Sequence, residues 1–237
     1  ADADGDQDLI VYAFTRKGRI ECTNYRNVNM PTGNNVPLFV KNNFGAFYGN
    51  LFQHQWKNES KSVSFLEYAW NVTPVNPMKC DPCVGNPPTD QDLVNSGVWW
   101  LHGKDWNDYS DVNDEEEEYD NGSRNVHFTR LHFRYNRNSF PQDLMFQVTP
   151  NTENFQARYV ITHPAQGDMN CEAGKKYLRD LKARRKKELF ELAKLTGRDM
   201  NSWQTMAAAE PEEQQDKETA YASVIKEVET EGEKHNP

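Results

Sequence analysis

"VHFTRLHFRYN", residues 126–136, decides the fold class. Apolar and polar side chains alternate along it with period two, the pattern of a strand with one face buried. His127 and His132 stand five apart, so a strand sends them to opposite faces. Two further segments follow, "DLMFQVTPN" (143–151) and "FQARYVITHP" (155–164). Together the three predict an antiparallel meander. Upstream, "DLIVYAFT" (8–15) reads as a buried strand, and "RKGR" as a turn into a second strand at 20–25. Gly18 is the residue suited to positive φ in that hairpin. "SVSFLEYAW" (62–70) is another strand, and the apolar run "VWWLHG" at 98–103 is read as a strand or docking segment.

Helices are fewer. Between 36 and 56, Phe39, Val40, Phe44, Phe47, Leu51, Phe52 and Trp56 recur at helical spacing, entered near Pro37. From 171 to 195, Tyr177, Leu178, Leu181, Leu189, Phe190, Leu192 and Leu195 form an apolar stripe, and Gly197 stops it. "PTDQDLVNSG" (88–97) predicts a short helix with Thr89 as N-cap and Asp92 completing a capping box. The fold class expected is therefore α+β. A mainly antiparallel sheet is packed by two longer helices, at 36–56 and 172–196, and followed by a polar tail.

The chain has 237 residues, of which 36% are hydrophobic and 12% aromatic, enough large rings to build a core. A single domain is expected over 9–199, with an acidic flexible terminus at 1–8, an acidic insertion at 104–125 and a polar tail at 200–237. That tail is expected to be disordered or partner-bound. The net charge of −9 argues against a nucleic-acid surface. No apolar run is long enough to span a membrane, which leaves peripheral contact as the only membrane mode considered. "ADADGDQDLI" has neither a basic nor an apolar signal region, and reads as the start of a processed chain. Asn58, Asn71 and Asn121 stand in Asn-x-Ser/Thr sites, which permit glycosylation without indicating it.

Several markers occur in a distinctive order. They are "NVNMPT", "FGAFYGNLF", "CDPC", "FTRLHFRY", "FPQDL", "NFQARYVITHP" and "MNCEAGKKYLRDLKARRKKELFELAKLTGRD". From about Asp8 to about Asp199 they resemble the C-terminal half of an exported bacterial family known as domain of unknown function 2330. The resemblance implies a location outside the cytoplasm, periplasmic or secreted, and no chemistry.

Cys80 and Cys83 form a C-x-x-C. A redox centre wants the first Cys at a helix N-terminus, but the flanks here are proline-rich loop. Zinc needs four ligands, and the remaining thiols, Cys22 and Cys171, do not supply a second C-x-x-C. A structural disulfide, with one of the pair closing on Cys171 or the two on each other, fits best, leaving Cys22 free or paired with the remaining Cys. No cofactor is predicted. Calcium is the one cation considered. Asp2, Asp4 and Asp6 match the first ligands of an EF-hand loop, but Gln7 stands where Gly is needed and Ala13 where Glu is needed. Asp114 and Glu116 lie in the acidic run 111–120, a second weak metal candidate.

No nucleophile elbow and no phosphate loop is present. Arg184 and Arg185, candidates for contact with a partner, sit in a basic helix, the one strong basic patch in an acidic chain. Trp99, Trp100, Trp106 and Trp203 are expected to be exposed anchors, since interface hot spots favour aromatics. The function expected is a non-catalytic, extracytoplasmic subunit that binds protein partners in an assembly. The alternative is an exported metal- or thiol-dependent enzyme or binder using the Cys80 and Cys83 loop. A carbohydrate-binding module using the tryptophans is a third class.

Overall fold

The computed structural model describes residues 5–72, 88–101, 125–199 and 202–203. It is an α+β protein, with nine strands and three α-helices among the described residues. The chain divides into two compact units where the sequence reading has one domain. One unit takes its described residues from 5–30 and 61–157, the other from 31–60 and 158–203.

In the first unit the strand quoted above is the central element. β6 (His127–Tyr135) lies between β1 (Gln7–Thr15) and β5 (Val63–Asn71), antiparallel to both. β3 (Arg26–Asn29) extends the sheet parallel to β5, and the two-residue β8 (Phe155–Gln156) pairs with the far end of β5. One face carries a core of Ile20, Cys22, Leu66, Ala69, Leu131, Phe133 and Phe140. His127 and His132 do fall on opposite faces, because β6 is regular throughout.

The expected hairpin and meander do not form. β1 pairs with β6 across more than a hundred residues, and β2 (Ile20–Cys22) pairs with β7 (Phe146–Val148). Gly18 shows why. Its φ is 135°, and a Cβ there would stand 2.5 Å from the Thr149 carbonyl oxygen and 2.7 Å from that of Asn151. The turn therefore leads the chain onto 149–151, where Arg19 N–H donates to Asn151 (2.9 Å) and its carbonyl accepts from Thr149 (2.9 Å). The described part of the segment read at 98–103 is likewise no strand: Trp99–Leu101 is a 3₁₀ turn, and 102–103 lie outside the described residues. The N-terminus is ordered earlier than expected, since β1 begins at Gln7.

In the second unit, β4 (Asn34–Val36) pairs in parallel with β9 (Tyr159–Ile161). The predicted helix at 36–56 resolves into a 3₁₀ turn, Leu38–Lys41, and α1 (Phe44–Asn58). The long helix, α3 (Glu172–Thr196), packs on α1 and β4. Its stop is a left-handed Gly197 with φ 64°, and a Cβ there would collide with the His54 ring at 2.1 Å. Apolar burial runs through Phe47, Leu51, Phe52, Leu189, Leu192 and Leu195. Among the described residues no helix is long and apolar enough to cross a membrane.

Candidate functional site

The outer face of the first unit's sheet gathers the most chemistry. Alternation sends Phe128, Arg130, His132 and Arg134 of β6 to this face. The register places Arg134 opposite Asp8, His132 opposite Ile10, Arg130 opposite Tyr12 and Phe128 opposite Phe14 in β1. On the other side, β5 sets Phe65 opposite His132, Tyr68 opposite Arg130 and Trp70 opposite Phe128. The β5 register shifts between Leu66 and Tyr68, and this irregularity turns Glu67 toward the same face.

The ionisable groups meet in one chain across three strands. Arg134 grips Asp8 with two hydrogen bonds, of 2.8 and 3.1 Å. Asp8 lies 3.8 Å from His132 Nε2, and His132 Nδ1 is 2.6 Å from Glu67 Oε1. The other Glu67 oxygen is 2.7 Å from Arg130 Nε. Glu67 and His132 are both buried at 6% exposure, so their pairing replaces lost solvation. The hydrogen bond from Arg134 holds the Asp8 carboxyl below its ordinary range, against the opposing pull of partial burial. Each carboxylate is thus already engaged by an arginine. Among the described residues no group of three or more His, Cys, Asp or Glu is arranged to hold a metal.

Beside this network lies an aromatic surface. Tyr12 stacks on Phe128 at 6.0 Å, Phe128 meets Tyr68 at 5.5 Å, and Tyr68 meets Trp70 at 6.1 Å. The Arg130 guanidinium lies 5.6 Å from the Tyr12 ring centre. Partial burial pushes the Tyr68 phenol up. Phe14, Trp70, Phe128 and Trp100 all pack on a small cluster of Val72, Leu93, Val98, Leu101 and Val126. α2 (Asp90–Asn95) supplies Leu93, and the expected capping box of Thr89 and Asp92 is present. The two Thr89 hydrogen bonds hold the Asp92 carboxyl low. Trp100 Nε1 donates to the Asn125 carbonyl at 3.1 Å. Trp99 meets Trp100 edge-on at 5.8 Å, and Arg16 lies over both rings, at 4.9 and 5.4 Å. Despite these neighbours Tyr12 remains 57% exposed and Trp99 66%.

A family model described as "Uncharacterized protein conserved in bacteria (DUF2330)" matches residues 1–147. The chain belongs to this family. The match ends before β8, β9 and α3, so the resemblance read to about Asp199 extends further than the family model does. No curated protein and no solved structure matches the chain. In this DUF2330 protein the aromatic surface and its charged network lie wholly on strands, a turn and a short helix of the first unit. All of these fall inside the family match.

The sequence-predicted residues fare unequally. Trp99 is exposed and Trp100 half-buried, both on the surface just described. Trp203 is the first correction. It is 1% exposed, its Nε1 donates to Thr196 Oγ1 at 3.3 Å, and Phe39 lies beside it, so it is core rather than anchor. Arg185 is the second. Helical spacing puts it on the docked face of α3 with Leu181, Leu189 and Leu192, and it is 6% exposed. Arg184 is half-buried, 3.6 Å from the buried Glu188 carboxylate.

Cys22 is a buried free thiol, and its thiol faces Asn24 Oδ1 at 3.4 Å. Cys171, also free, is the N-cap of α3 and accepts from Gly174 N–H at 3.3 Å. Asp6 is exposed and accepts from Asn136 Nδ2 at 2.5 Å, just past the end of β6. Cys80, Cys83, Trp106, Asp2, Asp4, Asp114 and Glu116 lie outside the described residues. Tyr12, Arg16, Tyr68 and Arg130 were missed from sequence. Alternation in 8–15 and 126–136 was the available signal, but it does not say which strands are neighbours.

Proposed function

We propose that this protein is a non-catalytic interaction subunit, and that the aromatic face of its first unit seats a protein partner. The carrying observation is Arg16 lying over two tryptophans, one of which stays 66% exposed. Trp, Tyr and Arg are the residues that dominate binding energy at protein interfaces. Here Trp99, Tyr12, Arg16 and Arg130 stand on one surface, already ordered by ring contacts and cation–π pairs, so little freedom is lost on docking. A monomer rarely leaves aromatic surface of this kind open without using it. Work outside the cytoplasm is part of the proposal, and its support is the resemblance noted above.

Native mass spectrometry of protein from its natural source tests this. A species heavier than the 27.5 kDa chain, carrying a second polypeptide, is expected. A lone 27.5 kDa species under gentle conditions overturns the proposal.

A further inference from the structure

We infer that the outer face of α3 adsorbs to an anionic lipid surface. This goes beyond the partner site above and rests on a different unit of the chain. α3 holds nine Lys and Arg against four Asp and Glu, in a chain whose net charge is −9. The 100° advance per residue sorts these charges. Lys175, Lys176, Arg179, Lys182, Lys186 and Lys187 are all exposed. With Lys194 they fall within a sector of about 140°. Glu172, in the first turn, is the one acidic residue in that sector, and there it complements the helix dipole and pairs with Lys175 at 2.9 Å. Asp180 and Glu191 fall at the sector's edge, and Glu188 is buried on the docked side.

Near the middle of this basic sector stands Phe190, 64% exposed. Its neighbours one turn away are Lys186, Lys187 and Lys194. An apolar ring kept in solvent and ringed by lysines suits an interface where the ring enters the headgroup layer while the ammonium groups meet lipid phosphates. The predominance of Lys over Arg points the same way. Lysine acts as a flexible point charge toward a diffuse anionic surface, whereas a defined acidic peptide is better matched by the bidentate fork of arginine. The chain's overall negative charge does not oppose this, because screening limits each charge to a reach of about 8 Å at physiological salt. The helix is 25 residues long, and it would lie flat, since its other face is committed to α1 and β4.

The test is co-sedimentation of the full chain with vesicles of phosphatidylcholine, with and without a third of phosphatidylglycerol. The protein should sediment with the anionic vesicles only, and leave them as salt is raised. Arg179→Ala and Lys187→Ala should each lower partitioning about fivefold. Phe190→Ala should lower it about tenfold while leaving its salt dependence unchanged. Circular dichroism should show all three variants folded. Equal behaviour on neutral and anionic vesicles overturns the inference, as does anionic binding that none of the three substitutions weakens. Binding of soluble polyglutamate without binding of anionic vesicles also overturns it, and assigns the face to an acidic protein.

Discussion

Two sets of ionisable residues in this molecule do opposite jobs. On the first unit's sheet, Asp8, Glu67, His132 and Arg134 are drawn together, with Glu67 and His132 buried and every contact in the network crossing between strands. On α3, Lys175, Lys176, Arg179 and Lys187 face outward, and Lys175 pairs with Glu172 of its own helix. Burial raises the worth of each pairing and the penalty for breaking it, while exposure lowers both. The first set therefore holds three strands in register. The second adds little to stability and is available to something else.

The contrast is broken most directly at His132. His132→Ala takes a close partner from buried Glu67, and should lower unfolding free energy by about 3–5 kcal/mol in chemical denaturation. A loss under about 1 kcal/mol would mean that the network is not structural. A smaller effect sharpens the comparison inside α3 itself. Arg185→Ala, on the buried side, should cost about 1–3 kcal/mol. Lys187→Ala, two residues on but facing solvent, should stay within about 0.5 kcal/mol.

pH acts on the first unit's sheet at two of its residues. Burial holds the His127 imidazole below its ordinary 6.5, so the unfolded chain binds that proton first. Its contribution is whole above pH 6.5 and is lost as pH falls through the lower folded value. Asp8 behaves in the same sense further down. Its contribution is whole above 3.8 and is lost as pH falls through the depressed value set by Arg134. Denaturation midpoints measured across this range should therefore decline in two steps. His127→Asn should remove the upper step and Arg134→Ala the lower.

Much of the secondary structure was legible because it is locally encoded. The Thr89 and Asp92 capping box, the Gly197 stop and the period-two pattern of 126–136 all report on residues within a turn or two of themselves. Strand partnership is not encoded that way. β1 pairs with β6 and β2 with β7 because Gly18 lets the chain leave the sheet, and no alternation pattern records that choice. The charged network was hidden for the same reason, since Glu67 reaches it only through a register shift in β5. The tryptophans show the limit of composition. Trp99 and Trp203 looked alike as anchors, yet one stands in solvent and the other fills the core against Phe39. The basic run of α3 looked like one patch until helical spacing divided it, burying Arg185 and exposing Lys187.

The claim that the aromatic face serves a partner rather than the fold is tested most directly by Trp99→Ala. The ring is 66% exposed, so its loss should leave the denaturation midpoint nearly unchanged. Native mass spectrometry of wild type and variant, prepared side by side from the natural source, should show the heavier complex in the first and the lone 27.5 kDa chain in the second. A complex that survives the substitution intact would contradict the account.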